Sequence, residues 1–427
     1  MKLIIHRGSN EIGGSCLELQ SRESRILLDF GMPLVDADGQ PIDSNIIRKQ
    51  SQTSLIQKGL LPRIEGLYGN EKPIIDAILI SHPHPDHYGL LSFVDEQIPV
   101  YMSRGCKKLI ELSYFFKQTD CNLKNVRTVD TWQSFSIGNF TITPYLVDHS
   151  GFDSLAYLIE GEDKRIFYSG DFRGHGRKSI VFDNMVKDPP PNIDYLILEG
   201  STIGREKGML TSEQDVEKEL TRLFKGKDSA YFIACSSQNI DRIVSVYRAC
   251  LKTNRIFVID PYTAFVLDSL KEFSPSIPQF GWGENIKIFF APSGYAKKLA
   301  ESEILFKYKA AKISYSEMQN RKASLVIKDS FSTREMFAKK IGMNNVSLIY
   351  SLWEGYLEGV KTFWDNHNVQ IEQVHISGHA YIEELQRFAK AINPKHIIPN
   401  HTFYPERYAE YFGNNIMIIN NKVPVEL

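Results

Sequence analysis

Ser81-His82-Pro83-His84-Pro85-Asp86-His87, directly after the apolar run Ala77-Ile78-Leu79-Ile80, sets three histidines and an aspartate within six positions. Neutral imidazoles at i and i+2 of an extended segment point the same way and can share one ion. The adjacent Asp86-His87 pair, at a turn into the next element, can face a second. Pro83 and Pro85 favour the extended geometry that this requires. The whole chain holds only 11 histidines, so three of them in one short stretch read as a metal site, and a binuclear one, rather than as a solvated polar loop.

Around this cluster the first 200 residues alternate short β-rich runs with turn signals. The runs are Lys2 to Ile5, Ser15 to Leu19, Arg25 to Leu28, Ala77 to Ile80, Val100 to Met102, Phe140 to Val147, Ser154 to Ile159, Arg165 to Tyr168 and Tyr195 to Leu198. That density predicts packed sheets covered by helices. The segment from Gly31 to Pro73 has weak periodicity and reads as a long functional or mobile loop, a candidate cap for the cleft, with a helix near Ile46 to Lys58 as the alternative. Asp188-Pro189-Pro190-Pro191-Asn192 reads as a rigid connector.

From about Ser212 the texture changes. Helical spacing over Glu213 to Phe224, an apolar strand Ala230 to Cys235, a helix Asn239 to Lys252 and a second apolar strand Arg255 to Ile259 make a βαβ unit, the basis of a doubly wound domain. After about Asn345 strand and loop texture returns, with a strand at Val374 to Ile376, a helix from Ile382 to Ile392 and a strand at His396 to Pro399.

At 427 residues the chain exceeds one small core, and its 42% apolar and 24% charged residues are those of a globular protein. A net charge of −1 excludes a global polyanion-binding surface, so any phosphate contacts must be local. No apolar run approaches a membrane span, and the start of the chain is too short in apolar residues for a signal peptide. Five cysteines without a CxxC pair fit a reducing compartment, so a cytoplasmic location without membrane contact is expected.

Three further residues, His149, Asp171 and His401, follow apolar or extended runs, the position from which a side chain projects from a sheet edge into a cleft. Each alone is more often a hydrogen-bonded structural residue than a ligand. Beside the histidine cluster they become candidate ligands.

His82-x-His84-x-Asp86-His87, His149, the Tyr168-Ser169-Gly170-Asp171 turn and Asp29 in Ile26-Leu27-Leu28-Asp29-Phe30-Gly31 together resemble the metallo-β-lactamase-fold hydrolases. The resemblance is closest to the β-CASP nuclease branch, both ribonuclease J-like and mRNA 3′-end processing nuclease-like. Leu196 to Thr202 resembles that branch's acidic first motif, Ile376-Ser377-Gly378-His379-Ala380 its second and Ile398-Pro399-Asn400-His401-Thr402 its third.

The resemblance implies an α/β fold: an αββα metallo-β-lactamase sandwich in two parts, residues 1–205 and 369–427, interrupted at 206–368 by a doubly wound α/β β-CASP domain. It further implies that His82, His84 and His149 hold one ion, that Asp86, His87 and His401 hold the other, and that Asp171 bridges them. Two divalent ions, Zn²⁺ by the donor types with Mn²⁺ also accommodated, would hold a hydroxide for attack on a phosphodiester. The implied catalytic set is Asp86, His379 and Glu199. His379 would contact the scissile phosphate or protonate the leaving oxygen, while Glu199, and Asp29 in like manner, would orient ligand imidazoles from behind. Asp148 is read as structural. Ser236, Asn239, Ser377 and Gly378 are candidate phosphate contacts, with an ordinary helix cap as the other reading of Ser236 to Arg242. Arg205 and Lys207 are read as solvated charges, with phosphate contact as the alternative.

A histidine rather than a valine in the third motif marks members that act on RNA, so the expected function is metal-dependent hydrolysis of single-stranded RNA. Hydrolysis of DNA or of a small ester or thioester is the first alternative and a non-catalytic RNA-processing scaffold the second. Endonuclease or exonuclease action, and assembly as a monomer or a homodimer, stay open. The 26 residues after His401 lead to the expectation that the ribonuclease J C-terminal domain is lacking, and the two prolines of the cluster mark a further departure from those relatives.

Overall fold

The computed structural model describes residues 1–35, 40–69, 72–205, 208–226 and 228–427. Lys207 and parts of the Gly31 to Pro73 segment, residues 36–39 and 70–71, lie outside the described residues. The chain divides into two compact units, Met1–Lys207 with Gly378–Leu427, and Gly208–Ser377.

In the first unit two sheets face each other. One has seven strands in the spatial order Pro424–Glu426, Lys2–Arg7, Cys16–Ser21, Ser24–Leu28, Ala77–Leu79, Val100–Met102, Val126–Thr128. It is antiparallel as far as Ser24–Leu28 and parallel beyond. The other has six, in the order His396–Asn400, Tyr195–Glu199, Lys164–Tyr168, Leu155–Gly161, Phe140–Leu146, Phe135–Ile137. Alternate side chains of both sheets, among them Leu3, Ile5, Leu17, Leu19, Ile26, Leu79, Ile142, Tyr157, Ile159, Ile197 and Ile398, interlock as one buried core.

The outer face of each sheet is apolar as well, which is why helices cover both. Cys106 and Ile110 of the helix Arg104–Phe115 pack on the first sheet together with Leu55, Leu60, Leu61, Ile64, Leu67 and Tyr68. Much of the segment expected as a loop is therefore core-packed, and its helix is two short ones, Ser44–Lys49 and Gln52–Gln57, the second capped by the Ser51 hydroxyl. Helices Ser179–Lys187, Ile382–Ile392 and Tyr408–Phe412 cover the second sheet through Phe182, Met185, Leu385, Phe388 and Tyr408. The result is the α/β four-layer sandwich implied by the resemblance.

The second unit is built on six strands, every neighbouring pair parallel, in the order Ile286–Ile288, Ile256–Ile259, Leu325–Lys328, Ala230–Ala234, Val346–Tyr350, Gln370–Gln373. The first strand in sequence sits inside the sheet; the chain winds outward to one edge, returns, and winds to the other, as a doubly wound domain does. Val374 and Ile376 are buried like strand residues, but the expected strand there is displaced to Gln370–Gln373. Val374 donates its N–H to Tyr350 O (3.0 Å), and the ladder ends at that bond. In the same unit Arg242, fully buried, joins the Glu213 carboxylate (Nη2 to Oε1 3.0 Å) and locks helix Ile240–Thr253 onto helix Glu213–Phe224.

Candidate metal centre

Strand direction collects the site. Strands Phe140–Leu146, Lys164–Tyr168, Tyr195–Glu199 and His396–Asn400 run the same way in the second sheet, and Ser24–Leu28 and Ala77–Leu79 run parallel in the first. His149, Asp171, Glu199, His401, Asp29 and His82 all lie at or just past the carboxyl ends of these strands. Main-chain bonds join the two edges: Leu155 N–H donates to Ser81 O (2.8 Å) and His401 N–H to Gly8 O (2.7 Å).

The histidine cluster folds as the local chemistry dictates. His84 is extended, Pro85 opens the four-residue helix Pro85–Tyr88, and that turn brings Asp86 beside His401 and His87 beside Asp171. The Asp29-Phe30-Gly31 segment clamps the turn through its backbone: Phe30 N–H donates to His87 O (2.8 Å), Met32 N–H to Pro85 O (2.9 Å) and Leu90 N–H to Phe30 O (3.1 Å). The approach is so close that a Cβ on Gly31 would stand 1.7 Å from Asp86 O, so only glycine fits.

Nε2 of His82 and Nε2 of His149 lie 3.1 and 3.2 Å from Nδ1 of His84. Metal–nitrogen bonds of 2.0–2.1 Å at tetrahedral angles place ligand nitrogens roughly 3.3 Å apart, so these three rings stand at ligand spacing. In a second group, Asp86 Oδ2 lies 3.4 Å from His401 Nε2 and 3.8 Å from His87 Nε2. Asp171 faces both groups: its Oδ2 is 3.7 Å from His82 Nε2 and 3.1 Å from His87 Nε2, and its Oδ1 is 3.3 Å from His401 Nδ1. Donor atoms of His82, His84 and His149, and those of Asp86, His87 and His401, each fall within 4.8 Å of one another.

Whether a cation suits this pocket is decided by the atoms left over. His87 Nε2 and Asp171 Oδ2 are buried and make no aligned hydrogen bond among the described residues, although they adjoin. Such a group costs about 1–3 kcal/mol unless something completes its shell. A divalent cation would complete both, and the mixed imidazole and carboxylate donors are those such an ion favours. Charge agrees. Burial, then the neighbouring rings, hold His82 and His149 well below the usual imidazole range, and burial takes His84 down to about 4. All three are therefore neutral, the ligand form, at pH 7. Burial opposes charge on His87 too, but Asp171, Asp29 and Asp86 outweigh it and raise its pKa. That half of the pocket attracts positive charge, whether a proton or a cation.

Behind the donors stands a set of fixed partners. The fully buried Asp29 carboxylate takes His87 Nδ1 (2.7 Å), the Tyr168 hydroxyl (2.6 Å), and both the hydroxyl (2.8 Å) and N–H (2.7 Å) of Ser81. Glu199 accepts the Phe172 N–H (2.9 Å), and the imidazole it meets is that of His379 (Nδ1 to Oε2 3.2 Å) rather than one of the ligand rings. His379 Nδ1 also lies 3.6 Å from Asp171 Oδ2, and its side chain keeps 22% exposure. Burial disfavours charge on this ring, but Glu199 and Asp171 more than offset it, so its pKa is raised.

Gly378 lies close against the loop after His149, where a Cβ would meet Ser150 Oγ at 2.5 Å. Ser236, Asn239 and Ser377 belong to the second unit. There Asn239 caps its helix by accepting the Arg242 N–H (3.1 Å), and Ser236 Oγ accepts the Gln238 N–H (3.2 Å), so both do the work of helix-start residues.

Several partners were not assigned from the sequence. Ser201 Oγ meets His401 Nδ1 (2.8 Å), Arg173 N–H donates to Asp148 O (2.7 Å) with its guanidinium beside that carboxylate (3.5 Å), and Glu384 takes both His175 Nδ1 (2.9 Å) and the Tyr381 N–H (2.9 Å). The last two links join the turn after Asp171 to the turns bearing His149 and His379. Only Tyr168 and Ser201 carried a signal, since each sits inside a quoted motif. No helix among the described residues is long and apolar enough to cross a membrane.

Comparison with known proteins agrees with this geometry. Residues 53–226 match the beta-lactamase superfamily domain and residues 366–419 the Zn-dependent metallo-hydrolase RNA specificity domain. The chain is similar to Ribonuclease J of Mycoplasma pneumoniae, 23% identical over 413 residues that make up 94% of this chain and 68% of that protein. It is also similar to Ribonuclease J of Helicobacter pylori strain 26695, 25% identical over 422 residues, 93% of this chain and 55% of that protein. The chain thus spans between about half and two thirds of these relatives' length. Its fold is shared with a crystal structure of a protein of unknown function from Enterococcus faecalis V583, with a TM-score of 0.78 and 21% identity over 100% of this chain and 99% of that one.

Proposed function

From the matches to the beta-lactamase superfamily domain and the Zn-dependent metallo-hydrolase RNA specificity domain and the similarity to ribonuclease J, we propose that the chain is a metallo-β-lactamase-fold hydrolase of the β-CASP branch, a metal-dependent ribonuclease that hydrolyses phosphodiester bonds of single-stranded RNA. The observation that carries this reading is the seven-donor pocket with Asp171 facing both groups. His82, His84 and His149 would hold one divalent ion, Asp86, His87 and His401 a second, and Asp171 would be shared. Zn²⁺ fits the donor types best and Mn²⁺ is also accepted. Ions bound in this way lower the pKa of water to about 7 and neutralise phosphate charge.

The chain's own residues supply the rest. Asp29 fixes the ring of His87 by holding its Nδ1–H, so that Nε2 points inward. Against burial, which disfavours charge, Glu199 and Asp171 raise the pKa of His379 and so favour its protonated form; Nδ1 faces Glu199, which leaves Nε2 as the atom placed to pass a proton to the leaving oxygen. Glu199 orients that ring and stabilises its charge. Ser201 sets the orientation of His401 in the same way.

The test is elemental analysis of the purified protein together with incubation on end-labelled single-stranded RNA, matched DNA and a panel of esters and lactones, with and without chelator. About two Zn²⁺ or Mn²⁺ per chain and chelator-sensitive cleavage of RNA alone are expected. A protein that holds no metal after reconstitution, or that cleaves only the small esters, refutes the reading.

A further inference from the structure

Two chain segments leave the site side by side: Gly200 to Arg205 after Glu199, and Thr402 to Tyr404 after His401. They are packed on each other, because the Tyr404 ring covers Gly204, where a Cβ would stand 2.5 Å from a ring carbon. Phe403 and Tyr404 nonetheless remain 44% and 40% exposed, two adjacent large rings within three positions of a buried candidate ligand. Nothing in the core or in the metal pocket accounts for them.

Tyr404 is held in place rather than loosely displayed, with Phe403 beside it in the chain. The Tyr404 N–H donates to the Thr402 hydroxyl (3.1 Å), the Arg407 guanidinium stands 5.9 Å from the Tyr404 ring centre, and Arg407 is itself fixed by Glu410 and the Tyr411 hydroxyl (2.7 Å). Arg205 brings a positive charge within electrostatic range of both Glu199 and Tyr404. A rigid aromatic surface with an arginine at its side is the arrangement that receives an unpaired base and its phosphate, since each base has a π-face and each linkage a negative charge.

We propose that Phe403 and Tyr404, with Arg205, form a stacking platform for an unpaired nucleobase of the RNA next to the scissile linkage, and that this platform selects single strands over duplex. The inference rests on the ribonuclease reading and deepens it. In a duplex the base faces are already stacked on their neighbours, so the platform has nothing to bind until a strand is open. Glu406, exposed in the same segment, carries a charge that disfavours phosphate at its own position, so the strand is expected to cross toward Arg205.

The experiment measures KM and kcat of the metal-loaded protein on a short unstructured RNA and on its duplex, for the parent chain and for Phe403→Ala, Tyr404→Ala and Tyr404→Phe. A series of the same RNA with one abasic ribose at each position in turn is run on the parent chain. Each alanine variant is expected to raise KM on the single strand by roughly 5- to 150-fold, with kcat, zinc content and thermal midpoint little changed, and to lose part of the preference over duplex. Tyr404→Phe is expected to behave as the parent, and one or two adjacent abasic positions to raise KM as the alanine variants do. If the parent chain cleaves RNA while both alanine variants and every abasic RNA keep the parent KM, the platform is refuted and the ribonuclease reading stands. If the parent chain neither binds nor cleaves RNA, both fall.

Discussion

Replacing Asp29 by asparagine is the sharpest way to ask whether the residues behind the donors control the metal pocket. The position is fully buried and its φ is +59°, a conformation that asparagine adopts readily, so the backbone is expected to stay in place. Oδ1 can continue to accept the Ser81 N–H, but an amide nitrogen at Oδ2 would face three donors, the Ser81 and Tyr168 hydroxyls and His87 Nδ1–H. Hydrogen bonds to a charged acceptor are worth about 1.5–3 kcal/mol each. Because the three share one oxygen they do not add fully, and a stability loss of about 3–5 kcal/mol is expected. For the metal, losing the carboxylate behind a ligand histidine costs about 10–100-fold in affinity, or about 1.4–2.7 kcal/mol at 1.36 kcal/mol per decade. The assay is zinc affinity by titration against a competing chelator, read beside thermal unfolding of the metal-free protein. Tyr168→Phe is the control: it removes one of the three donors, so a stability loss of about 1.5–3 kcal/mol is expected with zinc affinity nearly that of the parent. A folded Asp29→Asn protein whose zinc affinity stays within about twofold of the parent, far below the range for such partners, would refute the claim that this carboxylate orients His87.

Removing donors tests the pocket itself. His84→Ala and Asp171→Ala are expected to abolish hydrolysis, a loss beyond the roughly 100-fold that outer partners cost, with an unchanged circular dichroism spectrum and reduced metal per chain; full activity in either would show the donors to be wrongly assigned. Gly31→Ala would drive a Cβ into the Asp86 carbonyl, with main chain on both sides. A loss of at least about 3 kcal/mol and weaker zinc binding are expected, and a parent-like melting curve would contradict the backbone clamp. Acid stability should depend on Glu18. Burial works against its charge, but His6, Arg25 and Gln20 outweigh that and lower its pKa from 4.5 to about 2. Because the folded value is depressed, the stabilisation is fully present above about pH 4.5 and is lost as pH falls toward 2; at 1.36 kcal/mol per pH unit it amounts to about 3 kcal/mol. Denaturant titrations between those pH values should show a shallower slope for Glu18→Gln than for the parent, and equal slopes would count against it.

The local part of the site was legible because its geometry is local. Within Ser81 to His87, two prolines and a two-residue spacing settle which rings share a direction, and the strand before the cluster follows from four apolar residues. The same holds for the βαβ pattern from Glu213 to Ile259, whose strands and helices lie where periodicity puts them. Legibility ended where burial imitated pairing. Val374 and Ile376 look like strand positions, yet the ladder is made by Gln370 to Gln373, whose side chains are polar or partly exposed. In the long segment before Pro73, Leu55 to Tyr68 pack into a core whose other members come from the first sheet and its covering helix.

By itself, then, the sequence marked the candidate donors and the strands that carry them: the cluster from Ser81 to His87 through residues only a few positions apart, and His149, Asp171 and His401 through the family resemblance. Which donors face one another, that Glu199 holds His379 across 180 residues, that Asp29 collects Ser81, His87 and Tyr168, and that Tyr404 lies on Gly204 were decided by the tertiary structure alone. The physical reason is register. Contacts between distant segments depend on how two sheets align and on how closely their backbones approach, and those quantities are set by the packing of the whole core rather than by any stretch within it.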